Sequence, residues 1–107
     1  MNTIYIRNSD TFQQIINGKK KIEIRSLSKF YDKIDVNSLI TFQKKSEKVV
    51  KKVIHKITAA SFDEMFIILS NNLQNINTHL LKIEPKLFYS QYYSLSKLDK
   101  PCVAFFF

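Results

Sequence analysis

The chain opens on a short alternation of apolar and other positions. Ile4 and Ile6 flank Tyr5, a period of two that predicts a first strand. Asn8-Ser9-Asp10 then supplies N-cap residues, and Asp10 followed by Gln13 has the spacing of a capping box. Phe12, Ile15 and Ile16 recur at helical spacing before Asn17-Gly18, which predicts a helix over residues 10–17. Lys20–Arg25 returns to a period of two: Ile22 and Ile24 face one side of a strand, and Lys21, Glu23 and Arg25 the other.

Residues 26–36 are polar and basic around Phe30 and Tyr31, the pattern of a loop with a helical turn. Asn37-Ser38 is a turn, and Leu39, Ile40 and Phe42 begin another strand. Lys44–Lys48 is expected to form a solvated hairpin tip, and the β-branched run Val49–Ala60 one long extended strand. Ser61 and Glu64 make a second capping box, opening a helix over Phe62–Leu69. The Asn-rich stretch 71–77 predicts a loop. A last helix is expected from Glu84 or Pro85 to Tyr93, and Pro101 introduces a closing strand, Cys102–Phe107. The predicted order is β-α-β-β-β-α-α-β. Strands outweigh the short helices, which points to an α+β domain on a curled sheet; closing that sheet would remove its exposed edges.

Length and composition narrow this picture. The 107 residues suit one domain over residues 1–107, and 45% apolar content supplies a core. The longest apolar runs, Met65–Leu69 and Cys102–Phe107, fall far short of the roughly 20 residues of a membrane span. With no leader pattern either, a soluble cytoplasmic protein with no membrane partner is expected. Cys102 is the sole cysteine, which excludes an internal disulfide and a cysteine-cluster zinc site; its apolar run marks it as a core residue rather than a nucleophile. His55 and His79 lack ligand spacing, so neither a metal nor a cofactor is expected. No Gly-rich phosphate loop and no Ser-His-Asp set is visible.

Charge adds a function class. The net charge is +8, and all of the excess lies in residues 1–56, which hold thirteen Lys and Arg against five Asp and Glu. Such a distribution is a plausible footprint for a polyanion. It is also what a Lys-, Asn- and Ile-rich composition produces by itself.

The segment Gly18-Lys19-Lys20-Lys21-Ile22-Glu23-Ile24-Arg25 resembles the signature of the ASCH domain family, Gly-x-Lys-x-x-Glu-x-Arg, with Gly18, Lys20, Glu23 and Arg25 on its fixed positions. Three later segments follow the family order. They are Asn37-Ser38-Leu39-Ile40-Thr41-Phe42 for a Gly-Asp turn and strand, Ser61–Phe66 for a Phe-x-Glu-Met helix start, and Tyr89 to Tyr93 for a Tyr-x-x-x-Tyr helix before a closing strand. The Gly-Asp turn is replaced by Asn37-Ser38; Asn tolerates left-handed backbone angles, so the turn can survive. The resemblance implies a PUA-like β-barrel of five to six strands with two to three flanking helices. It also implies a cleft holding the motif, and RNA or a nucleotide-like ligand as partner.

Each site residue has a chemical reading. Gly18 ends the helix and would let a ligand approach. Arg25 offers a planar fork to phosphate or a base edge. Glu23 can accept from an exocyclic amine, or pair with Arg25 two residues along. Lys19, Lys20 and Lys21 can hold phosphate; a desolvated Lys20 beside the other two could act as a base. Tyr31, Tyr89 and Tyr93 are candidates to stack on a base, with Phe30 beside Tyr31 and Tyr93 nearest the cleft. A binding module is the first reading. The second is a small amidohydrolase acting on N4-acetylcytidine, which the resemblance implies for some short members with a Lys, Thr and Glu set. Lys20 matches the Lys, Glu23 occupies the Thr position, and residues 65–83 contain no acid to serve as the Glu. A ribonuclease using Lys20, Glu23 and Tyr93 is the third.

Overall fold

The computed structural model describes residues 2–72 and 99–107. In chain order the elements are β1 (Asn2–Tyr5), α1 (Ser9–Ile16), β2 (Ile22–Ser26), α2 (Lys29–Asp32), β3 (Leu39–Lys44), β4 (Glu47–Lys52), β5 (His55–Ala59), α3 (Phe62–Asn72) and β6 (Cys102–Phe106). The caps follow local chemistry. Asn8, rather than Asp10, caps α1, its side chain accepting from the Thr11 amide at 2.9 Å. Ser28 Oγ caps the single-turn α2 and Ser61 Oγ caps α3 at the Glu64 amide, 3.1 Å away. α3 runs on to Asn72, past the predicted end at Leu69.

The strands pair as two three-stranded sheets, β1-β3-β4 and β2-β6-β5, instead of one closed ring. β1 lies parallel to β3; every other pair is antiparallel. The expected single strand over 49–60 is two strands in different sheets. Val53 still exchanges hydrogen bonds with the Asn37-Ser38 turn, whereas the Ile54 amide already donates to Phe106 O at 2.8 Å. This one-residue handover turns a corner that β-branched composition cannot reveal. The predicted tip at 44–48 shrinks to Lys45-Ser46, because Lys44 and Glu47 still pair in register and Lys45 takes the left-handed bend at φ 54°. Asn37 also holds a left-handed φ, 75°, in place of the family's glycine.

Two apolar clusters result. One lies between the sheets, where Ile4, Ile40 and Phe42 meet Phe12 and Ile15 of α1 and Val103 and Phe105 of β6. The other lies under α3, where Phe62, Met65 and Leu69 cover Ile22, Ile24, Cys102, Ala104 and Phe106. The sheet β2-β6-β5 is thus covered on both faces. That explains why β6, its central strand, reads as an unbroken apolar run and is buried at every position. It also places the Glu23 face of β2 against the inter-sheet core.

Candidate functional site: a buried carboxylate between two cations

Gly18 ends α1 at φ +79°, and a Cβ there would meet nothing within 4 Å. The glycine therefore answers a backbone requirement rather than a tight fit. Two bonds tie the following chain back to the helix: Asn17 Oδ1 accepts from the Lys19 amide at 3.0 Å, and the Lys20 amide donates to Gln14 O at 2.9 Å. Lys20 consequently precedes β2 instead of belonging to it, and it is buried while Lys19 and Lys21 are exposed. The expectation of Lys20 desolvated among its neighbours becomes a single lysine turned inward.

Glu23 and Arg25 leave β2 on the same face, opposite Phe105 and Val103 of β6. Glu23 Oε1 lies 4.0 Å from Lys20 Nζ and 3.6 Å from Arg25 Nε. The Lys20 and Glu23 side chains are 9% and 10% exposed, that of Arg25 23%. The three charged groups thus meet at Glu23 Oε1, with both cations within 4.0 Å of it. Arg25 also reaches across to the other sheet, its Nη2 donating to Tyr5 O at 3.3 Å. Glu23 Oε2 is buried and has no hydrogen-bond partner among the described residues. A buried carboxylate oxygen is stabilised by an N–H or O–H donor, and leaving it unmet costs more than a typical hydrogen bond returns.

The remaining predicted residues divide. Tyr31 is half-buried, its ring 6.3 Å from that of Phe105, the ladder partner of Glu23, and edge-on to Phe30 at 5.1 Å. One side of the ring serves the core. Tyr89 and Tyr93 lie outside the described residues, as does the predicted helix carrying them. Two participants had escaped the sequence reading. The carbonyl of Tyr5 holds Arg25, and a backbone acceptor leaves no mark in composition. Lys56, opposite Phe105 on β5, fastens α2 by donating to Asp32 O at 2.8 Å. Among the described residues no group of three His, Cys, Asp or Glu side chains is placed to hold a metal ion, and no helix is long and apolar enough to cross a membrane.

The family model of the ASCH domain matches residues 8–101, a span that includes Gly18, Lys20, Glu23 and Arg25. A crystal structure of the hypothetical protein PH0355 superposes with a TM-score of 0.71 at 23% identity, covering 99% of this chain and 96% of that one, which shows a shared fold. No curated protein matches the chain. With Glu23 and Arg25 on one face of β2, Lys20 turned in beside them and the family model spanning most of its length, the chain belongs to the ASCH domain family.

Proposed function

We propose that this ASCH domain, a single unit over residues 1–107 whose two sheets are halves of a PUA-like barrel, binds RNA or a nucleotide-like ligand at Lys20, Glu23 and Arg25. The observation that carries this reading is the unpartnered, buried Oε2 of Glu23 beside the Arg25 guanidinium. A nucleobase edge with an amino group supplies the missing donor, while a phosphate or base carbonyl meets Arg25 or Lys20. Lys19 and Lys21, exposed on either side, favour the phosphate backbone by charge. Tyr31, Tyr89 and Tyr93 are the stacking residues of this reading.

Fluorescence anisotropy with a labelled single-stranded RNA 12-mer tests it. Wild type should bind, with affinity falling steeply as salt rises. Arg25→Ala and Glu23→Gln should each weaken binding by about tenfold or more, given roughly 1.5–3 kcal/mol for a charge-assisted hydrogen bond. Circular dichroism would check that both variants fold. Unchanged affinity in both, or no binding across homopolymers of all four bases, would remove the proposal. The buried Lys20–Glu23 pair keeps the amidohydrolase reading in play. Incubating N4-acetylcytidine with wild type and Lys20→Ala decides it: deacetylation that depends on Lys20 would make the site catalytic.

A further inference from the structure

The excess charge of this protein does not sit at the Glu23 site, where two cations face one carboxylate. Half of it lies on the β3–β4 hairpin: Lys44, Lys45, Lys48, Lys51 and Lys52 against Glu47 alone, a net +4 of the chain's +8. The strand register shows where two of these lysines go. Tyr5, Gln43 and Lys48 form one row across β1-β3-β4; Thr3, Thr41 and Val50 form the next; Leu39 and Lys52 the third. This is the face opposite the buried Ile4, Ile40 and Phe42. It is exposed along its margins and only partly polar: Tyr5 is 67% exposed, Leu39 54% and Val50 52%, with Lys48 and Lys52 exposed beside them, while Thr41 at its centre is buried.

The face is linked to the Glu23 site through the backbone of β1. Arg25 Nη2 donates to the carbonyl of Tyr5, the residue whose ring heads the first row. From Tyr5 to Lys48 is two strand spacings, about 10 Å, and from Lys48 to Lys52 four strand residues, about 13 Å. Tyr5 thus joins the Arg25 end of the Glu23 site, through its carbonyl, to the row that ends at Lys48, through its side chain.

We propose that the outer face of β1-β3-β4 is a binding track for a single-stranded nucleic acid. Tyr5 stacks on a base next to the one at Glu23, and Lys48 and Lys52 hold the phosphates that follow. Sequence-tolerant binding of single strands commonly combines aromatic stacking with a basic groove. The inference rests on the Glu23 reading for where the track begins, and it extends that reading by making the partner a polymer rather than a free nucleotide.

The test compares wild type, Tyr5→Ala and the Lys48→Gln/Lys52→Gln double variant by anisotropy, using single-stranded RNA of 4 and about 12 nucleotides and cytidine 5′-monophosphate as competitor. All three substitutions are at exposed positions. Wild type should bind the 12-mer more tightly than the 4-mer. Tyr5→Ala should lose about tenfold on the 12-mer. The double variant should lose a similar factor, with the slope of log affinity against log salt reduced by roughly 1.4, from about 0.7 per phosphate contact. Competition by the mononucleotide at the Glu23 site should stay the same in all three. If both variants bind the 12-mer as wild type does while Arg25→Ala does not, the track is wrong and the Glu23 site stands. If the track variants weaken binding and Arg25→Ala and Glu23→Gln do not, the track stands and the Glu23 reading falls. Binding to anionic vesicles in place of the 12-mer, lost in the double variant, would overturn the nucleic-acid assignment.

Discussion

Cys102 illustrates how a neighbourhood sets the chemistry of one side chain. Its Sγ donates to Ser61 O at 3.4 Å, and burial, with the Glu64 carboxylate adding to it, pushes the thiol from 9.0 up to about 12. It is therefore a core residue at neutral pH and a poor nucleophile. The raised value has a consequence for stability. Between pH 9 and pH 12 the unfolded chain has released this proton and the folded chain has kept it, so stability falls as pH rises through that window and is fully present below it. Urea denaturation from pH 8 to 11 should show a shallower alkaline decline in Cys102→Ala than in wild type, by up to about 1.4 kcal/mol per pH unit. Parallel curves would mean the thiol titrates as it does in the open chain. Glu23 is the opposite case: it is buried, and its Oε2 has no hydrogen-bond partner among the described residues.

At the scale of elements, the end of α1 positions the site. Gly18 at φ +79° allows Asn17 and Gln14 to draw the next residues back, and that return turns Lys20 inward. Since a Cβ at Gly18 would meet no atom, Gly18→Ala should cost only the left-handed backbone penalty, roughly 1–2 kcal/mol. Gly18→Asn should cost less, because Asn enters that region more readily. Thermal or urea unfolding of the two variants measures the difference; equal, larger losses in both would point to a steric role instead. The Ser61 cap of α3, the Gly18 stop and the alternation of β2 were legible, since each is a property of a few adjacent residues; the box at Asp10 and Gln13 gave way to the Asn8 cap. The corner at Val53-Ile54 was not. It depends on Ser38 and Phe106, which lie far away in sequence and supply its two hydrogen-bond partners.

Across the whole molecule, β6 joins two cores. Its Phe106 and Ala104 side chains go to the α3 cluster and its Phe105 and Val103 to the cluster between the sheets. Phe105 is fully buried, is the ladder partner of Glu23 and packs against Tyr31, so it links the core to the site. Phe105→Ala should lose about 3–5 kcal/mol of stability through the cavity it leaves. Tyr5→Ala, at an exposed position, should stay within about 0.5 kcal/mol of wild type. Chemical denaturation of both variants checks this, and a mild effect at Phe105 would show that the two sheets are not held by this ring.

What the amino-acid order determined by itself is local and periodic: the α1 and α3 caps, the two-residue alternation carrying Glu23 and Arg25 on one face, the apolar β6, and a spacing that resembles the ASCH motif. These follow from neighbours three or four positions apart or from the pleat of one strand, so they need no knowledge of the fold. Tertiary structure alone decided that Lys20 turns in while Lys19 and Lys21 turn out. It also decided that the chain changes sheets at Val53-Ile54, that a backbone carbonyl of β1 holds Arg25, and that one Glu23 oxygen lacks a donor among the described residues. Each of these depends on which surfaces cover which, and burial is a property of the assembled chain, not of any segment of it.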